Sequence, residues 1–174
     1  MKNKHIIFLD TSIFESENFF KGRNLLHICE LSQNGLIEVK ITDITYNEII
    51  NRIKENIQKS QTSFKKANSL INGEGKLLKN IDEFSIYFNF PKIESEDLLI
   101  QFKLKLEKFI KDNVIEIIDS KISNLKEVFE NYFNLLPPFK EGKKKSEFPD
   151  AFTYSTIKEW SILNKTFDLS LLLI

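Results

Sequence analysis

Two short stretches hold the residues whose types and spacing could do chemistry. The first, His5-Ile6-Ile7-Phe8-Leu9-Asp10-Thr11-Ser12-Ile13-Phe14-Glu15, is an apolar run that stops on a carboxylate followed by two hydroxyl residues. The second, Lys143-Lys144-Lys145-Ser146-Glu147-Phe148-Pro149-Asp150, sets two acids beside three consecutive lysines. A carboxylate that closes a buried strand stands where ligands bind in open α/β sheets. Asp10 and Ser12 are equally the residue types that cap a following turn. Glu147 and Asp150 read either as surface salt-bridging or as a metal ligand set next to a phosphate clamp. On the residues alone, both pairs of readings stay open.

The elements that must position these residues follow from periodicity. Ile6 to Leu9 is rich in β-branched and aromatic side chains and suits a central parallel strand covered on both faces. Asn18 to Asn34 has helical spacing at Phe19, Leu25, Leu26, Cys29 and Leu31, with Gly35 suited to end it. Leu36 to Ile41 alternates like a strand, and Thr42-Asp43-Ile44-Thr45 opens a long helix whose buried face is marked by Ile49, Ile50, Ile53 and Ile57. Within that helix Thr45-Tyr46-Asn47-Glu48 fits a capping box, which gives Glu48 a purely structural reading. A β-α-β-α order favours a parallel sheet with right-handed crossovers. Residues 59–113 then read as helix after helix, with Gly73 and Gly75 separating the first pair and Pro91 preceding a helix over 94–113. This is a helical insertion in a single domain. Val114 to Ile118 restores a strand that ends on Asp119. Residues 121–136 return to helix, with Leu125, Val128, Phe129, Tyr132 and Phe133 facing inward. Pro137, Pro138 and Gly142 make a loop, and Pro149 initiates a helix that runs through Tyr154, Ile157 and Trp160.

Composition narrows the function classes. A chain of 174 residues with 41% hydrophobic content is long enough to bury one core. Lys and Arg together number 25, as do Asp and Glu, so no global field draws the protein to nucleic acid or membrane, and an anionic partner must be held locally. Cys29 stands alone, which excludes an internal disulfide framework and fits a reducing compartment. Asp10 interrupts the first apolar stretch too early for a signal peptide, and no apolar run reaches membrane-spanning length. A cytoplasmic location is therefore expected. No Gly-rich phosphate loop and no paired CxxC pattern is present, and neither His5 nor His27 has a Ser or Cys partner motif.

The stretches "IIFLDTSIF", "ITYNEIINRI" and "KKKSEFPDAF", in this order, resemble the PIN-domain nucleases, specifically the larger PIN-like proteins with a helical insertion before the third acidic motif. The resemblance spans nearly the whole chain. It implies a three-layer α/β/α fold with a central parallel sheet. It implies Mg²⁺ or Mn²⁺ bound by clustered acids for phosphodiester hydrolysis, commonly of RNA, single-stranded or structured. Carried over by position, Asp10 matches the first acidic ligand, Glu48 the second and Asp150 the third, with Glu147 an accompanying acid. Ser12 resembles the small hydroxyl residue beside the first acid, and Lys143, Lys144 and Lys145 would lie near the substrate backbone.

Such residues are needed together because hard divalent cations prefer oxygen ligands, Mg²⁺ taking one or two carboxylates while keeping waters and substrate oxygens. Without a cation, gathered carboxylates repel one another and their pKa values rise. The sequence departs from the family pattern near its end. The resemblance implies a further strand closing on a fourth acidic motif, whereas here Asp168 precedes the apolar run Leu169–Ile174. That motif and the last strand are therefore expected to be missing, activity to be weakened, and the exposed edge to be covered by a second copy or a protein partner. The alternative is a catalytically inactive PIN-like domain that binds RNA or protein. A helical scaffold with chance acidic residues is the remaining reading.

Overall fold

The computed structural model describes residues 5–88, 94–142 and 146–164. Three parallel strands, β1 (His5–Phe8), β2 (Ile37–Thr42) and β3 (Ile115–Ile118), lie in the order β1-β2-β3. The α/β class with a parallel sheet and flanking helices is thus observed. The middle position among the described residues falls to β2, not to β1 as its apolar run suggests. The register sets Phe8, Lys40 and Glu116 side by side. Because side chains alternate along a strand, Ile6, Phe8, Lys40, Thr42 and Ile118 share one face, while Val39 and Ile41, both buried, belong to the other.

Among the described residues, short 3₁₀ segments also occur at Lys76–Asn80, Asp82–Phe88 and Ser120–Ile122. The helices are α1 (Thr11–Ser16), α2 (Arg23–Gln33), α3 (Asp43–Gly73), α4 (Ser95–Asp112), α5 (Leu125–Asn134) and α6 (Phe148–Leu163). Asn18 and Phe19 both have positive φ, so the chain turns between α1 and α2 where the apolar spacing alone predicts one helix from Asn18. A single helix runs through to Gly73 where a succession is expected from residue 59. The chain divides into two compact units, one formed by Met1–Ile49 with Leu106–Ile174, the other by Ile50–Lys105. The limits of the second unit fall inside α3 and α4.

In the first unit α6 covers one face of the sheet. Phe8 and Ile118 bury against Ile157, with Ile6, Ile122 and Trp160 at the margin, and the Phe8 and Trp160 rings meet edge to face at 5.5 Å. Lys40 is buried on this same face beneath Trp160, its Nζ 4.8 Å from the ring. Its charge is matched by Glu38 at 3.2 Å and by a short contact with Glu116. A buried lysine in the middle strand is tolerable because both its neighbours and the ring face are electron-rich.

A second cluster joins Val128 of α5 to Phe139 and Ala151, flanked by Tyr132, Phe148 and Phe152. Only Val128 and Tyr132 of the five expected inward residues of α5 turn to this core. Leu125, Phe129 and Phe133 are exposed, since they lie on a different stripe at i, i+4 and i+8. The helix begins at Leu125, four residues later than expected, because Asn124 caps it by accepting from the Glu127 N–H. The apolar run Leu169–Ile174, on which the expectations of a missing last strand and a partner-covered edge rest, lies outside the described residues, as do Lys143, Lys144 and Lys145.

Candidate active site

All three strands run in the same direction, so one edge of the sheet gathers every strand's carboxyl end. At that edge the Leu9 N–H donates to the Lys40 carbonyl at 2.9 Å, which carries the β1–β2 ladder one residue beyond Phe8 and holds the start of the Asp10 segment in place. Asp10 then caps α1. Its Oδ2 accepts from the Ser12 N–H at 3.2 Å and from the Ser12 hydroxyl at 2.7 Å. The capping role is therefore real, and it orients the carboxylate rather than competing with a site role.

Glu48 is delivered by the second turn of α3. That helix is capped by Thr42, whose Oγ1 accepts from the Thr45 N–H at 3.0 Å. The capping box expected at Thr45–Glu48 is thus not formed, because the helix starts three residues earlier than that box requires. Glu48 instead accepts a hydrogen bond from the Thr11 hydroxyl, 3.0 Å from its Oε2. Sequence reasoning missed Thr11 as the partner that holds Glu48. Thr11 is buried, stands between Asp10 and Ser12, and ties the second acid to the segment bearing the first.

Asp150 comes from the first turn of α6, with Glu147 at the helix's N-cap and Pro149 among its first residues. The Thr42 and Thr153 hydroxyls approach to 3.5 Å, and Thr153 lies one turn after Asp150. The start of α6 is therefore at the same carboxyl edge as Asp10 and Glu48.

Electrostatics report the convergence most directly. The Asp150 carboxyl is pushed up to about 6, first by partial burial, then by the negative charge of Glu48, a hydrogen bond with Glu147, and the charges of Glu147 and Asp10. Three of the four acids singled out in the sequence thus act on the carboxyl of the fourth. Yet among the described residues no three His, Cys, Asp or Glu side chains stand close enough together to enclose an ion. The two observations agree, because Coulombic influence reaches further than ligation.

Other acids at the same edge are engaged elsewhere. Asp43 accepts from the Ser120 N–H and hydroxyl, both at 3.0 Å. Asp119 caps a 3₁₀ turn, and the hydrogen bond from the Lys121 N–H holds its carboxyl below the usual range. Cys29 is buried and its thiol is pushed up to about 11 by that burial, which disfavours the reactive thiolate. Among the described residues no helix is long and apolar enough to cross a membrane.

A cleft of about 640 Å³ opens beside the acids, its lining including Asp10, Asp150, Tyr154, Asn131 and Pro138. Neither Tyr154 nor Asn131 is distinguishable in sequence from an ordinary surface residue.

No curated protein and no solved structure matches this chain. The sequence profile of the PIN domain matches it over residues 7–173, a span that contains Asp10, Glu48, Glu147 and Asp150. With a parallel sheet whose carboxyl edge bears these acids, and a match covering nearly its full length, the chain belongs to the PIN domain family.

Proposed function

We propose that this protein is a divalent-metal-dependent endoribonuclease that hydrolyses RNA phosphodiester bonds, with Asp10, Glu48 and Asp150 as its acidic ligands and Glu147 as an accompanying acid. The observation that carries this reading is the raised Asp150 carboxyl among Glu48, Glu147 and Asp10. Four oxygen-donor carboxylates with mutual repulsion suit a hard cation, Mg²⁺ or Mn²⁺, and a wider spacing than a closed cage suits an ion that keeps several of its waters. When bound, such an ion supplies Lewis-acid polarisation of the phosphate and a water activated at neutral pH.

The chain's own residues do the positioning. Ser12 holds the Asp10 carboxylate by two hydrogen bonds. Thr11 holds that of Glu48. Below about pH 6 burial and the negative charges of Glu48 and Glu147 favour a proton on Asp150, which must leave before Asp150 can serve as a ligand. Lys143, Lys144 and Lys145, close in sequence to Glu147 and Asp150, supply positive charge to the phosphates of the bound strand.

The second reading is a PIN-like domain that binds RNA without cutting it, and it is favoured by the absence of a closed three-acid cluster among the described residues. Incubating purified protein with RNA in Mn²⁺ separates the two. Cleavage that disappears in Asp150→Asn supports the nuclease; binding without cleavage supports the alternative.

A further inference from the structure

We propose that the cleft beside the acids is a nucleobase subsite, taking one unpaired base of an RNA strand stacked on Tyr154 while the adjoining phosphate faces Asp10 and Asp150. This inference rests on the nuclease reading and deepens it by naming what holds the substrate. Asp150 and Tyr154 are four residues apart on α6, hence neighbours on one helix face about 6 Å apart along the axis. A nucleotide separates its phosphate from its base by one sugar, a reach of the same order. Both residues line the same cleft, whose volume of about 640 Å³ is that of a small-molecule pocket rather than a duplex groove.

The lining suits a base. The Tyr154 side chain is exposed, with the residue at 56% of its full accessibility, so its ring face is available without rearrangement. Pro138 and Ile157 add apolar surface, and Asn131 contributes an amide that can both donate and accept, as base edges require. Glu127, also on the wall, is paired with Lys158 at 2.6 Å, so its charge does not stand unopposed against an anionic strand. An apolar peptide would find this lining interrupted by three carboxylates and the amide, which is why a polar, aromatic base is the better fit.

The test uses the full chain and a short single-stranded RNA carrying one fluorescent aminopurine, with Ca²⁺ in place of Mn²⁺ so that the strand stays intact. Stacking quenches the fluorophore. Wild type and Tyr154→Phe, which keeps the ring, should both quench it on binding. Tyr154→Ala should lose the quenching and bind about tenfold more weakly, as expected for one lost base–aromatic stack. Far-UV circular dichroism checks that the variants are folded, and the exposed position of Tyr154 keeps the change outside the core. Quenching that persists in Tyr154→Ala overturns the subsite. So does a wild-type complex without quenching, which would return the cleft to peptide docking. Failure of the nuclease reading is seen separately, as an absence of Mn²⁺-dependent cleavage or its survival in Asp150→Asn, and neither enters the fluorescence measurement.

Discussion

The Thr11 hydroxyl lies 3.0 Å from the Glu48 carboxylate although 37 positions separate them in the chain. One hydrogen bond therefore couples the segment after β1 to the second turn of α3 and fixes the direction of the Glu48 carboxylate. Glu48→Gln keeps an oxygen to accept this bond but removes the charge. Because the change also relieves part of the repulsion on Asp150, the variant should melt no lower than wild type without metal, while Mn²⁺ affinity by calorimetry falls. Unchanged affinity would leave Glu48 with a structural role only.

Thr11→Val retains the volume and removes the donor. A hydrogen bond to a partly buried carboxylate contributes about 1 kcal/mol, so the variant should be destabilised by that amount in denaturant titration. It should also cleave RNA more slowly than wild type at saturating Mn²⁺, because Glu48 is no longer held. Thr11→Ser, which keeps a hydroxyl, should recover most of the rate.

The raised Asp150 carboxyl, at about 6, makes two pH predictions. An acid whose folded pKa exceeds its unfolded value, near 3.8, stabilises the fold fully below the unfolded value and loses that contribution as pH rises through about 6. Ion-free protein should therefore lose stability between these limits. A fully desolvated shift of this size would be worth about 3 kcal/mol; screening at an exposed residue reduces it to about 1 kcal/mol. Mn²⁺ affinity should run the other way, weakening as pH falls below about 6 because the ion must displace the proton. Melting curves and calorimetry from acid to neutral pH check both signs.

Asp150→Asn removes the same repulsion permanently. At neutral pH the ion-free variant should be more stable than wild type by about 1 kcal/mol and should not cleave RNA. A variant that is both less stable and fully active would show that Asp150 is neither crowded nor functional.

Thr42 caps α3, is almost wholly buried, and lies within 3.5 Å of Thr153 on α6. Thr42→Ala should cost about 1 kcal/mol as a lost cap. It should also reduce cleavage more than an equally destabilising change remote from this edge, since it loosens the joint between α3 and α6.

Replacing Lys143, Lys144 and Lys145 together by Ala should flatten the salt dependence of RNA binding. Each phosphate contact to a single strand contributes about 0.7 to the slope of log affinity against log salt, so three contacts contribute about 2. An unchanged slope would identify the run as ordinary solvated surface.

The class of fold and the strand-end position of Asp10 were legible in the sequence because both depend on local pattern. A run of β-branched and aromatic residues that stops on an acid is visible without knowing its neighbours. Pro149 beside Glu147 and Asp150 marks a helix start by the same local logic. What no local pattern carries is register across long loops. That Glu48 is released from a capping box depends on α3 starting at Asp43, a difference of three residues. That Thr11 rather than Ser12 reaches Glu48 depends on which side of a short helix turns toward α3. Lys40 breaks an apolar strand, and only the tertiary structure supplies Glu38, Glu116 and the Trp160 ring that make its burial tolerable. The raised Asp150 carboxyl is likewise a property of convergence: each acid alone is ordinary, and only the parallel sheet, by bringing its strand ends to one edge, places their charges within reach of one another.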